Sequence, residues 1–320
     1  MESKISDKYI AGFLDSDGCV SIHWKAGKYK PLLILSWSQK TSQDKVLYMI
    51  QGSLGGVIRE DKINEELYSK LVVSGSAASM ALNRIKKHLV LKRHYANVCL
   101  DLVEKGKPDD VKVARLYMKE QRKVRSLPLP NFPSRKWLAG YFDGDGCLYA
   151  RMYKTGVTMP HFSIAASWFD TEGLEIIQKN FGGQINKMSQ GNNVQSLVAA
   201  LPPSRAKKFL GYFAKHLITK KEQAYFILGC AEMGHYRDGK NIWTALKQLK
   251  AQPHRLSEPE VDVKPFLDSV SGKKWGRHGH GAEFCKGCGR NDVDYYAKDY
   301  CRNCYNNTRY QPKRQSAIAA

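Results

Sequence analysis

Residues 9–19 read YIAGFLDSDGC and residues 137–147 read WLAGYFDGDGC. Each stretch opens as a helix and closes on two acids, Asp15 and Asp17 in the first, Asp143 and Asp145 in the second. Carboxylates at the C-terminal end of a helix face the negative half of its dipole, where cations are favoured. Gly18 and Gly146 are expected to supply the left-handed residue that stops each helix. Gly12 and Ser16 lie one turn apart, as do Gly140 and Gly144, so each helix carries a small face that another backbone can approach closely. Packing the two helices on these faces would set Asp17 beside Asp145. Two adjacent carboxylates repel unless a cation lies between them, and oxygen donors suit a hard divalent ion, most naturally Mg²⁺.

The two stretches are the start of a longer repeat at an offset of 128 residues. After each comes a pair of strands, CVSIHWKA with PLLILSWS and CLYARMYK with HFSIAASWF, showing the two-residue alternation of half-buried sheet. A helix follows, with Ser42 as the expected cap in the first copy. Gly55-Gly56 and Gly182-Gly183 lead into a second strand pair, and a helix closes each copy near Leu89 and His216. The expected fold class is α+β: two αββαββα units with antiparallel sheets. The expected organisation is a first unit over 1–105, a linker over 106–135, a second unit over 136–235, an extended connector over 236–270 and a separate cysteine-rich module over 271–320.

The 320 residues include 51 Lys+Arg against 30 Asp+Glu, a formal charge of +21. Such an excess on a chain of ordinary hydrophobic content suits a folded protein with a polyanionic partner, and nucleic acid is the commonest. No run of 18 apolar residues is present, so no helical membrane span is expected, and the N-terminus lacks the apolar core of a secretion signal. An intracellular location, in a prokaryotic or phage-infected cell or an organelle, is the expectation. The nine histidines fall in no HExxH or HNH-like spacing, and no Ser/His/Asp set competes for a catalytic role.

The motifs IAGFLDSDG and LAGYFDGDG, with the repeat layout, SQKT at 38–41 and LKRHYAN at 91–97, resemble a single-chain, two-repeat LAGLIDADG homing endonuclease over roughly residues 8–235. The resemblance implies two four-stranded sheets forming a saddle over double-stranded DNA, and a monomeric enzyme that cuts both strands of a long target. It implies divalent metal, Mg²⁺ or Mn²⁺, on Asp17 and Asp145 with the backbone carbonyls of Ser16 and Gly144. The family's pocket lysine falls on Lys92 and Lys220, and its solvent-ordering glutamine on Gln39. In the second unit Asp170 takes that position, which departs from the symmetric pattern. Asp15 and Asp143 are read as structural. The same scaffold leaves open a non-cleaving DNA-binding regulator or an RNA maturase acting on intron RNA.

Outward-facing strand residues are the candidates for groove contacts: Ser21, His23, Lys25, Ser36 and Ser38 in the first unit, and Tyr149, Arg151, Tyr153, Ser163 and Ser167 in the second. Their difference between units predicts a non-palindromic target. Near the C-terminus, Cys285-x-x-Cys288 and Cys301-x-x-Cys304 have the spacing of a tetrahedral Zn²⁺ site, whose chelation would fold a segment too short for its own core. Lys286, Arg290 and Arg302 beside it fit DNA contact; a stabilising tail is the other reading. Cys19, Cys99, Cys147 and Cys230 are expected in the core.

Overall fold

The computed structural model describes residues 5–24, 31–105, 111–121, 130–152, 158–167, 171–187, 194–233, 239–254 and 261–270, with 295–297 and 300–301. The first unit runs α1 (Asp7–Asp15), β1 (Cys19–His23), β2 (Leu32–Lys40), α2 (Lys45–Leu54), β3 (Val57–Ile63), β4 (Glu66–Ser74), α3 (Ser76–Ile85), α4 (Arg93–Lys105) and α5 (Val111–Gln121). The second runs α6 (Arg135–Asp145), β5 (Gly146–Met152), β6 (Thr158–Ser167), α7 (Glu172–Phe181), β7 (Gln184–Lys187), β8 (Val194–Ala200), α8 (Pro203–Phe213), α9 (Lys221–Met233) and α10 (Gly239–Ala251), with α11 (Lys264–Ser269) after it. Each unit forms one antiparallel sheet, in order β1-β2-β4-β3 and β5-β6-β8-β7. The expected α+β class and its duplication are therefore observed. Of the cysteine-rich stretch, β9 (Tyr295–Ala297) and β10 (Tyr300–Cys301) pair as a short antiparallel ladder.

Alternation along the strands sends one side chain in two into each core. Leu33, Leu35 and Trp37 of β2 are buried in the core of the first unit, where β2 packs on α3, and Phe162 and Ile164 of β6 are buried in that of the second, where β6 packs on α6. In the second unit Phe142, Phe162 and Phe213 all contact Phe209, the closest pair of ring centroids being 4.2 Å apart. The β3–β4 hairpin turns through Asn64 and Glu65, both at positive φ (49° and 69°), the mirror-image turn that matches strand twist.

Three expectations need correction. The motif helices do not end on a left-handed glycine: Gly146 has φ −78°, and Gly18 is not among the positive-φ residues. Space explains both glycines, because a Cβ on Gly18 would sit 2.6 Å from Leu14 Cα and one on Gly146 would sit 2.6 Å from Phe142 Cγ. At α2 the N-cap is Asp44 rather than Ser42, and its carboxylate is taken by Ser69 Oγ at 2.8 Å. The span 236–270 is not an extended connector, since it contains α10 and α11. Helix α10 begins 128 residues after α5, and the buried pair Ala114 and Met118 of α5 matches Ile242 and Leu246 of α10. The repeat thus continues one helix beyond its legible sequence similarity.

Candidate active site at the junction of the motif helices

Helices α1 and α6 pack side by side with their N-termini at one end and their acid-bearing C-termini at the other. The contact is backbone on backbone. A Cβ on Gly12 would overlap the Trp137 carbonyl and lie 2.9 Å from Tyr141 N; one on Gly140 would overlap the Tyr9 carbonyl and lie 2.8 Å from Phe13 N. Further along, a Cβ on Gly144 would meet Ser16 and come within 3.2 Å of Asp17 N. The small faces do what their spacing predicts, and the two acidic ends abut.

The inner acids anchor the loops that carry the lysines. Asp15, buried, accepts from Val90 N (2.7 Å) and Lys92 N (2.8 Å); Asp143, buried, accepts from Ile218 N (2.7 Å), Thr219 N (3.3 Å) and Lys220 N (3.0 Å). Each also takes one bond from the other unit. Trp137 Nε1 donates to Asp15 at 2.8 Å and Tyr9 Oη donates to Asp143 at 2.5 Å. Tyr9 and Trp137 are equivalent positions of the repeat, so the two pockets are cross-linked reciprocally through their inner acids. Neither residue stood out in the sequence, although both open the quoted motifs. Burial raises the Asp15 carboxyl above its ordinary range, against the pull of its donors at Val90, Lys92 and Trp137. Burial and then Asp143 hold the Tyr9 phenol well above its usual value, so it remains a donor.

The lysines answer the question of the helix ends. Lys92 Nζ donates to the carbonyls of Leu14 (2.7 Å), Ser16 (3.1 Å) and Gly18 (2.8 Å). Lys220 Nζ donates to those of Phe142 (3.1 Å), Gly144 (3.2 Å) and, more closely, Asp143. A cation placed on the unpaired carbonyls of a helix C-terminus offsets the dipole that makes acids unfavourable there. Burial lowers the Lys220 ammonium, opposed by Asp143, Asp17, Cys147 and Asp145. The Lys220 site is therefore built by both units, because Asp17 comes from the first.

Asp17 is solvent-accessible by surface area but crowded by protein on several sides. That crowding raises its carboxyl, against Lys220, the Gln39 amide and Lys92. Gln39 Nε2 donates to Asp17 at 2.5 Å. Strand register shows why the second unit differs: Cys19 pairs with Ser36 and Cys147 with Ser163, which puts Ala166 at the place of Gln39. A methyl group cannot serve a carboxylate; Asp170 lies outside the described residues. Asp145 closes α6 and is partly buried.

The donors fit a hard divalent cation. Two acids and a ring of main-chain carbonyls supply only oxygen, and a carbonyl such as that of Ser16 or Gly144 has a second lone pair beside the one its lysine takes. Among the described residues no three His, Cys, Asp or Glu side chains gather, so such an ion would rely on these two acids, carbonyls and water.

On the sheet faces turned from the core, His23 and Ser38 are exposed, and Ser21 and Ser36 are half-buried. Arg151 is exposed, Ser163 is half-buried, and Tyr149 stacks on His161 with ring centroids 5.5 Å apart. Ser167 lies on β6, whereas Lys25 and Tyr153 lie outside the described residues. The register adds Lys70 and Arg59, which continue the cross-strand row of Ser38; the equivalent row in the second unit is Ala165, Ser196 and Asn186. Strand alternation could have found these residues, but not their alignment. Cys99 and Cys230 are buried as expected; Cys19 is exposed and Cys147 only half-buried, because both point to the outer face of their strands. Cys301 lies on β10, while Cys285, Cys288, Cys304, Lys286, Arg290 and Arg302 lie outside the described residues.

Residues 138–229 match the family model described as LAGLIDADG endonuclease. DNA endonuclease I-CvuI of Chlorella vulgaris is 31% identical over 103 residues, which are 30% of this chain and 63% of that protein. Probable intron-encoded endonuclease Cox1-I1b of Schizosaccharomyces pombe is 23% identical over 197 residues, 56% of this chain and 50% of that protein. The chain thus spans between half and two thirds of the curated relatives it matches. Among solved structures, the LAGLIDADG homing endonuclease I-GzeII in complex with its DNA target superposes with a TM-score of 0.60 at 16% identity, covering 79% of this chain and all of that one. I-SmaMI bound to cleaved DNA superposes with a TM-score of 0.56 at 17% identity, covering 78% and 96%. I-SmaMI bound to uncleaved DNA in the presence of calcium ions gives 0.51 at 19%, covering 77% and 98%. This chain has the LAGLIDADG fold across both units.

Proposed function

We propose that this chain is a site-specific DNA endonuclease of the LAGLIDADG kind, hydrolysing both strands of a non-palindromic duplex as a monomer. The observation that carries the reading is the abutment of two acid-bearing helix ends with a lysine seated behind each. The match of 138–229 to the endonuclease family and the DNA-bound relatives support it.

Asp17 and Asp145, with the carbonyls of Ser16 and Gly144, would hold a divalent cation that polarises the scissile phosphate and lowers the pKa of an attacking water. Lys92 and Lys220 place positive charge at fixed points beside that phosphate, where it offsets the charge developing on the phosphoryl oxygens. Gln39 orients the Asp17 carboxylate. The outer sheet faces then read the duplex with unlike groups. The row Ser38, Lys70 and Arg59 carries two cations; its counterpart Ala165, Ser196 and Asn186 carries none. The two half-sites should accordingly differ. The cysteine pairs enter this reading as a structural Zn²⁺ module; zinc content unchanged by Cys301→Ser would remove it.

Incubation with a randomised duplex library and Mg²⁺, followed by sequencing of the cut ends, tests the function. Enrichment of one asymmetric site is expected; cutting without preference, or no cutting, would overturn the reading. A pH test isolates Gln39. Its hydrogen bond lowers the Asp17 pKa, so Gln39→Ala should raise that pKa and move the acid limb of single-turnover cleavage to higher pH. An unmoved or downward-shifted limb would show that Asp17 is not tuned by this amide.

A further inference from the structure

We propose that the end of the helix pair opposite the acids binds a phosphate group. A cleft of about 480 Å³ opens where the N-termini of α1 and α6 meet, roughly 13 Å from the Asp17 and Asp145 end by the rise of a nine-residue helix. It is lined in repeat-related pairs: Lys8 with Lys136, His88 with His216, and Ser6 with Ser134. The chemistry is almost all donor. Among the described residues one acid lines it, Asp7, and that carboxylate is gripped by Arg84 through Nε at 3.0 Å and through the second guanidinium nitrogen. The repeat-equivalent residue, Arg135, also lines the cleft; its guanidinium carbon lies 4.8 Å from the Tyr212 ring centroid.

The field in the cleft has one dominant sign. His88 is held below the ordinary histidine range by burial and then by Lys87 and Lys8. His216 is lowered by burial and then by Lys215, Lys136 and Arg135. Ser134 makes no capping hydrogen bond to α6, whereas Ser6 accepts one from Tyr9 N at 3.3 Å, so one hydroxyl is not used by its helix. Two helix N-termini, two lysines, one arginine and two imidazoles converging on one cleft match a tetrahedral anion that accepts on every face. A carboxylate offers fewer acceptor positions for so many donors. The volume exceeds a bare phosphate, so the group could come from free phosphate or from the backbone of a nucleic-acid strand.

The experiment follows the imidazole proton resonances of His88 and His216 in the full chain at constant ionic strength. Inorganic phosphate should shift both saturably, and Lys8→Ala with Lys136→Ala should weaken the midpoint at least about ten-fold. Both lysines are in the first turn of their helices, and circular dichroism checks that the double variant folds. His88→Gln, read through His216, gives an independent second variant with the same expected direction. A single-stranded oligonucleotide saturating the same shifts at far lower concentration would assign a backbone source; saturation by phosphate alone would assign the free anion. Chloride reproducing the shifts, or unchanged phosphate affinity in both variants, would overturn the proposal. Asp17→Asn should bind phosphate like wild type, which separates this site from the cleavage chemistry.

Discussion

Asp17→Asn and Asp145→Asn should each depress cleavage of the preferred duplex by about 10³-fold or more while leaving duplex affinity equal or tighter. The expected loss corresponds to roughly 4 kcal/mol of barrier lowering. Asn keeps the shape of Asp and one carbonyl oxygen but removes the charge that would hold a cation. The removed charge would otherwise repel DNA phosphate, so binding gains where chemistry loses. Gel-shift titration and single-turnover cleavage on the same duplex separate the two effects. Cleavage within about ten-fold of wild type in both variants would take the reaction away from the helix junction. A parallel loss of binding and cleavage would instead indicate that the acids support the fold.

Gly12→Val and Gly140→Val should be among the most destabilising single changes in the chain, by about 3 kcal/mol or more. The obstruction is not a side chain that can rotate away. It is the carbonyl of Trp137 in one case and of Tyr9 in the other, so the helices must separate. Separation would also stretch the Tyr9–Asp143 and Trp137–Asp15 bonds and disturb both lysine loops. Gly52→Ala in α2 and Gly211→Ala in α8 provide the contrast, since nothing lies within 4 Å of a Cβ at either position. Relieving a helix of glycine there should be neutral or stabilise by up to about 1 kcal/mol. Chemical denaturation of the four variants checks the pattern. Equal effects at all four positions would mean that glycine at the crossing is a matter of helix propensity and not of close approach.

Much of this architecture was legible from the repeat. Offsetting the chain by 128 residues places Lys220 on Lys92 and Asp143 on Asp15. In the structure the lysines share two equivalent carbonyls, Leu14 with Phe142 and Ser16 with Gly144, and differ in the third, Gly18 against Asp143. The reading failed where the copies differ in length or composition. Matching SWSQ to SWFD set Asp170 against Gln39, but strand pairing makes the second unit one residue shorter at this point and leaves Ala166 there. Helix α10 shares few residue identities with α5, since burial constrains only the apolar phase of such a helix.

The sequence by itself determined the two acid-tipped helices, the small faces that join them and the doubled α+β plan. These rest on local periodicity and on a duplication that a one-dimensional comparison can detect. Tertiary structure decided how acids come to be tolerated at those helix ends. Lysines 78 residues downstream of Leu14 and Phe142 reach back to those carbonyls, and each inner acid borrows a hydrogen bond from the opposite unit. Contacts between atoms so far apart in the chain leave no periodic trace, because their geometry exists only after both units have folded and met.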